Sequence, residues 1–324
     1  HRRVRTVYLG TSDFAATVLR RLADSPHKPN LVVTPPDSRQ GRGRKVSPPP
    51  VAELAGELEI ELLQAASVNE ASALERIRAA EPEALLVCAF GQLIREPLLS
   101  LTEILNVHPS LLPRWRGAAP IERAIMARDP KTGVCVMRLT AGLDSGPVAL
   151  RAEVDLGEDE DYGALAPRLA DLGGDLLVEA LDRLAAGTLE FTEQDEADVT
   201  YAEKITSEDR RLDLAEPAAD LAAKVRALTP HIGAFLELAD GERLAVRAAS
   251  TAPASPPAAV VAADGDAVEA APSDLAAGQA EAVNGALFVG TGDGELRLDV
   301  VQPAGGKAMA AADYLRGRPV PKFA

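Results

Sequence analysis

Five short apolar runs, at residues 6–9, 31–33, 60–63, 84–88 and 103–108, alternate with segments whose apolar residues recur at helical spacing. Nothing else in the chain narrows the fold as much. Strands that follow one another through helices pair in parallel, so the N-terminal part is expected to be an α/β, Rossmann-like, mostly parallel sheet with helices on both faces. The linking helices fall near 14–22, 51–56 and 69–79, the first after a Gly10-Thr11-Ser12 turn in which Ser12 suits an N-cap. In open sheets of this kind ligands sit beyond the carboxyl ends of the strands. Gly10, the Phe90-Gly91-Gln92 turn and the Asn106/His108 pair all fall there.

Asn106 and His108 are the polar exceptions in an otherwise apolar strand. Strand side chains alternate faces, so the two point the same way. A donor and a titratable ring aimed together suit acyl transfer, which needs a group for developing negative charge and a group to manage a proton. The same residues also suit a bland role, satisfying backbone groups of the loop that follows. Further on, Asp144 stands among the turn formers of Leu143-Asp144-Ser145-Gly146-Pro147. Turn chemistry alone accounts for a carboxylate there. If the chain folds back so that Asp144 approaches His108, an Asn/His/Asp constellation is complete and the carboxylate orients the ring.

The rest of the chain reads as a hairpin over 134–139 and 148–154, a long amphipathic helix over 161–186, and a polar, aperiodic stretch. After it come a short helix at 218–228 and strands near 234–238, 243–248, 286–290 and 296–301. That pattern suggests a smaller OB-like β-barrel. The expected domains are therefore a catalytic one over 1–189, a linker over 190–208, and a β-rich one over 209–324. Residues 252–282, rich in Ala, Pro, Asp and Ser, interrupt the last as a low-complexity insertion.

The formal net charge of −15 on 324 residues argues against general nucleic-acid affinity. Local distribution differs, since four of the seven residues 39–45 are cationic. That run is either a solvated flexible loop or a mobile basic finger that orders against phosphate. The two cysteines, Cys88 and Cys135, lie in apolar runs and read as reduced core residues. The four histidines show no ligand spacing, so no metal is expected. No run is long and apolar enough for a membrane span, and the basic start lacks the apolar stretch of a secretion signal; a cytoplasmic location is expected.

The chain resembles the folate-dependent formyltransferases. The resemblance rests on Gly10-Thr11 with Phe14-Ala15, the Gly41-Arg42-Gly43-Arg44-Lys45 loop, Phe90-Gly91, the whole 106–120 run and Leu143-Asp144-Ser145-Gly146. It continues through 200–205, Gly233-Ala234-Phe235, Gly292-Asp293-Gly294 and 302–309. It implies transfer of a formyl group from 10-formyltetrahydrofolate to the α-amino group of methionine carried on initiator tRNA, by a monomer. It further implies Asn106, His108 and Asp144 as catalytic residues, and folate held at Phe90, Gly91, Gln92, Ser110, Leu111, Leu112 and Pro113. Contacts to tRNA fall to Arg42, Arg44, Lys45 and Lys307. Leu111 and Leu112 suit core packing equally well, and Arg114 and Arg116 suit the folate tail, tRNA phosphate or plain solvation. Four positions depart from the family pattern: Ser12 replaces a proline, Leu214 an aromatic, His231 a tryptophan and Gly306 a lysine. The same core serves formyltransferases acting on glycinamide ribonucleotide or amino-sugar nucleotides, and formyltetrahydrofolate hydrolase. A nucleotide- or tRNA-binding protein without chemistry is the alternative of another class; it has no reason to align Asn106, His108 and Asp144.

Overall fold

The computed structural model describes residues 2–40, 45–251, 260–261, 267–268 and 275–324. The chain opens with β1 (Thr6–Gly10), α1 (Asp13–Ala23) and β2 (Leu31–Thr34), then a two-stranded ribbon, β3 (Ser38–Gln40) and β4 (Lys45–Ser47), at the base of the basic loop. It continues through α2 (Pro50–Glu57), β5 (Glu61–Gln64), α3 (Ala71–Ala79), β6 (Ala84–Cys88) and β7 (Glu103–His108). Next come the short β8 (Arg116–Gly117), α4 (Pro120–Met126), β9 (Lys131–Arg138), β10 (Val148–Asp155), α5 (Tyr162–Ala186) and β11 (Tyr201–Ala202).

The main sheet has the order β10-β9-β7-β6-β1-β2-β5. Its five strands from β5 to β7 pair in parallel, and β9 and β10 close one edge antiparallel. Every residue of β1, β2 and β6 is buried, as strands covered on both faces require. One face, carrying Val7, Leu9, Leu31, Val33, Leu85, Val87 and Ile104, packs on Ile77 of α3 together with Val68 and Leu98. On the other face α5 comes close to the sheet through Gly173, where a Cβ would lie 2.8 Å from Val107. Ser12 caps α1, accepting from the Ala15 amide, so the residue standing in place of a proline has its own local work. Both cysteines are free and buried, and burial pushes the Cys88 thiol up to about 12 and the Cys135 thiol to about 11.

Residues 205–324 form most of a second compact unit, which also takes in 122–129 and 157–163. After α6 (Ser207–Arg210) and α7 (Ala218–Leu228) the strands are β12 (Ala234–Glu237), β13 (Arg243–Thr251), β14 (Val260–Val261), β15 (Ala267–Val268), β16 (Ala280–Val283), β17 (Ala286–Gly290), β18 (Glu295–Gln302) and β19 (Met309–Ala310), followed by α8 (Ala311–Gly317). The antiparallel path runs β12-β13-β18-β17-β16 with β19 on β18, and among the described residues it stays open. Its core gathers Leu221, Val225 and Leu228 of α7 with Leu244, Val246, Leu287, Leu296, Leu298 and Val301. Leu214 is buried in the same core. His231 stacks on Tyr162 at 3.5 Å between centroids, and its Nε2 lies 3.0 Å from Glu122 Oε1.

Two expectations change. The insertion read over 252–282 extends too far, because Ala280–Val283 is strand β16, paired with β17. The linker read over 190–208 is not free for most of its length: residues up to Lys204 belong to the first unit, held by paired hydrogen bonds between Thr192 and Val148 and by β11 lying on β8. None of the described helices is long and apolar enough to cross a membrane.

Candidate active site

The parallel order reverses at β1, whose neighbours are β2 and β6, and the carboxyl ends of β1, β6 and β7 form the rim where such sheets hold ligands. Gly10 lies level with Cys88, and Val87 with Asn106. The Thr11 hydroxyl donates to the Phe90 carbonyl at 2.8 Å and ties the loops after β1 and β6 together.

Asn106 and His108 extend the face that begins with Ile104. Asn106 is 8% and His108 5% exposed. No described residue hydrogen-bonds the Asn106 side chain, so a buried amide with two donors stands ready at the open end of the strand. His108 is hydrogen-bonded at one nitrogen and faces a carboxylate at the other. Its Nε2 lies 2.9 Å from the Trp115 carbonyl oxygen, and its Nδ1 lies 3.7 Å from Asp144 Oδ2. A carbonyl only accepts, so Nε2 carries its hydrogen and Nδ1 is the nitrogen facing the carboxylate. The same Oδ2 accepts from the Gly117 amide at 2.9 Å. The fold thus brings together all three residues picked from the strand end and the distant turn.

The backbone around them is unusual. Ala89 (φ 44°), Trp115 (φ 63°) and Asp144 (φ 44°) occupy the left-handed region, which non-glycine residues adopt only where their surroundings impose it. Gly117 (φ 121°) lies so close to β11 that a Cβ would sit 2.7 Å from the Ala202 carbonyl oxygen.

The other expected residues divide. Phe90 is a core side chain, packed with Leu9, Val87 and Ile94. Gln92 uses its carboxamide internally, accepting from the Val68 amide at 2.8 Å and donating to the Ala65 carbonyl at 3.0 Å. Gly91 between them is exposed, at φ 78°. Ser110 is fully buried, and its hydroxyl braces the loop by donating to the Arg114 carbonyl at 2.7 Å. Leu112 packs on Cys135 and Met137, so core packing describes it better than a pocket wall. Leu111 is half-buried; the Leu112-Pro113 bond is cis, and the Pro113 carbonyl accepts from Thr200. Arg116 is not a phosphate contact: it is 3% exposed and paired with Glu196 at 2.7 Å, which raises its pKa. Lys45 and Lys307 are exposed, whereas Arg42 and Arg44 lie outside the described residues. At the departure from the family pattern beside Lys307, the Gly306 carbonyl accepts from the Gln302 side chain at 2.9 Å.

The polar composition of 190–208 gave no sign that residues 194–200 hold the loop that meets His108. Thr200 Oγ1 accepts from the Trp115 amide at 2.9 Å, the Thr200 carbonyl accepts from the Arg116 amide at 2.9 Å, and Gln194 and Glu196 hold the Arg116 side chain. The segment's mark in the sequence is a run of hydrogen-bonding side chains free of glycine and proline, which is poor composition for a free linker.

An amide, an imidazole and a carboxylate thus gather at the carboxyl end of β7, next to the strands at which the parallel order reverses, an arrangement able to serve group transfer. The Formyl transferase family matches residues 3–181, and Formyl transferase, C-terminal domain, matches 204–319. The methionyl-tRNA formyltransferase of Halorhodospira halophila is 40% identical over 316 residues, covering 97% of this chain and 96% of its own length. That of Xanthomonas campestris pv. campestris is 42% identical over 318 residues, covering 97% and 98%. The chain belongs to the formyl transferase family, among the methionyl-tRNA formyltransferases. The fold also matches HypX from Aquifex aeolicus, solved in complex with tetrahydrofolic acid, with a TM-score of 0.62 at 16% identity; the match covers 96% of this chain and 47% of HypX.

Proposed function

We propose that this chain transfers the formyl group of 10-formyltetrahydrofolate to the α-amino group of methionine on initiator tRNA, for translation initiation. One observation carries the chemistry: the Asn106 amide has no partner among the described residues, on the same strand face as an imidazole 3.7 Å from a carboxylate. The substrate assignment is supported by the named activity of relatives 40% identical over almost the whole chain.

Formyl transfer to an amine passes through a tetrahedral carbon whose oxygen carries negative charge. Asn106 donates to that oxygen. His108, with Nε2 committed to the Trp115 carbonyl, exchanges its proton through Nδ1, and delivers it towards the departing folate nitrogen. Asp144 orients the ring and, directly or through water, relieves the attacking ammonium of its proton. The folate lies along the loops at Gly91 and 110–113, held chiefly by backbone groups, because the side chains of Phe90, Gln92, Ser110 and Leu112 are engaged elsewhere. Arg42, Arg44 and Lys45 of the basic loop and Lys307 after β18 contact tRNA phosphates. The first unit is the catalytic domain and the second the tRNA-binding one, in a cytoplasmic monomer without metal.

The test is a formylation assay offering methionyl initiator tRNA, an amino-sugar nucleotide and glycinamide ribonucleotide in turn. Formylation of the aminoacyl-tRNA alone is expected. Transfer to either small amine with the tRNA left untouched overturns the assignment.

A further inference from the structure

Between α5 and β11 one side chain, that of Gln194, bonds both to the loop after Trp115 and to the loop that carries Asp144. Gln194 Nε2 donates to the carbonyl oxygens of Asp144 at 2.8 Å and Gly146 at 2.7 Å, while its Oε1 accepts from Arg116 Nε at 3.0 Å. Both donors of the carboxamide and its acceptor are engaged. Arg116 is itself almost fully buried, with Glu196 at 2.7 and 3.3 Å on its other nitrogens. These contacts fall on, or one residue away from, the residues that partner His108 and Asp144. The neighbours of Arg116 are Trp115, whose carbonyl meets His108, and Gly117, whose amide meets Asp144.

Both loops need an external restraint. Trp115 and Asp144 sit at positive φ, where an isolated loop does not rest. Gln194 grips the Asp144 peptide directly and grips Trp115 through its neighbour, and its directional bonds to the Asp144 and Gly146 carbonyls leave the carboxylate of Asp144 to the ring and the Gly117 amide.

We propose that Gln194 is a positioning residue for formyl transfer, which sets the distance between the His108 ring and the Asp144 carboxylate by clamping the loops that carry their partners. This rests on the catalytic roles given above to His108 and Asp144. A glutamine that merely braces the fold would alter stability and leave the chemical step of the folded enzyme alone.

The test compares Gln194→Met, which keeps the volume and removes all three hydrogen bonds, with Gln194→Glu, which keeps the acceptor for Arg116 but turns a carboxylate towards two carbonyl oxygens. Each full-length variant is assayed below its melting transition for single-turnover formyl transfer and for aminoacyl-tRNA affinity, alone and combined with Asp144→Asn. Transfer is expected to slow by about ten- to a hundredfold, the scale of a misplacement of roughly 1 Å, with tRNA affinity unchanged. In the Asp144→Asn background, Gln194→Met is expected to slow the reaction no further, since the group it aims is already disabled. Losses that multiply in the double variant overturn the proposal. A folded Gln194→Met enzyme as fast as the parent, beside a slow Asp144→Asn enzyme, removes the positioning role and leaves the catalytic one standing. Parental speed in Asp144→Asn removes both. If the methionine variant does not fold, Gln194→Glu carries the same comparisons.

Discussion

In the seven-stranded sheet, β1, β2 and β6 bury every side chain, whereas β13 and β18 of the second unit alternate buried residues with partly exposed ones. The difference follows from what covers each sheet: helices on two faces in the first, and one packed face with one open face in the second. It decides where function can be recognised. A polar residue in a doubly covered strand is out of place unless it works, so Asn106 and His108 stand out. On a half-open sheet every second position is polar anyway, and a residue that binds a ligand looks like one that meets water.

The largest effect expected from this contrast is on rate at the first sheet. His108→Ala or Asn106→Ala should lower single-turnover formyl transfer by about 10²- to 10⁴-fold while the melting transition stays in place. Folded variants that transfer at the parental rate would break the comparison. In the second sheet the inward positions should register as stability instead. Leu298, fully buried in the second core, is expected to cost about 2–5 kcal/mol as Leu298→Ala, read by denaturant unfolding, with transfer by the folded fraction retained. Gly117→Ala falls between the two, because its Cβ would meet the Ala202 carbonyl at 2.7 Å and shift the amide that holds Asp144. A loss on the order of a hundredfold in rate is expected, and no change would show that the loop has slack.

Smaller effects sharpen the comparison. Lys307→Ala, on the outward side of the second unit, should weaken tRNA binding without touching the chemical step, and lower the slope of binding against salt by about one. Acidification offers the gentlest probe. The hydrogen bond from Arg116 lowers the pKa of Glu196, so this pair supports the folded state above the ordinary glutamate range, and the support fades as pH falls through the lowered value. Protection of the Trp115 and Arg116 amides, taken relative to the intrinsic exchange rate at each pH, should fall over that acidic window, and Glu196→Gln should abolish the dependence.

Much of the first unit was legible from its residues, because buried parallel strands leave continuous apolar runs and helices leave a period. The α/β order and the N-cap at Ser12 followed; the meeting of His108 with Asp144 was open in the residues themselves, where turn chemistry accounted for the carboxylate equally well. What escaped was held by hydrogen bonds rather than by burial. Gln194 and Glu196, and the role of Thr200, have no periodicity to betray them, and their partners at 116, 144 and 115 are distant in sequence. The side-chain roles of Ser110 and Gln92 were hidden for a related reason: a polar side chain at a loop looks the same whether it meets a ligand or braces the backbone, as these two do.

The bond between Trp115 and Thr200 spans 85 positions. A ribosome therefore delivers the imidazole-bearing strand long before the segment that locks its loop. A nascent chain cannot adopt the finished geometry until residue 202 has cleared the exit tunnel, so catalytic competence arrives late in synthesis, after the sheet itself has had time to form.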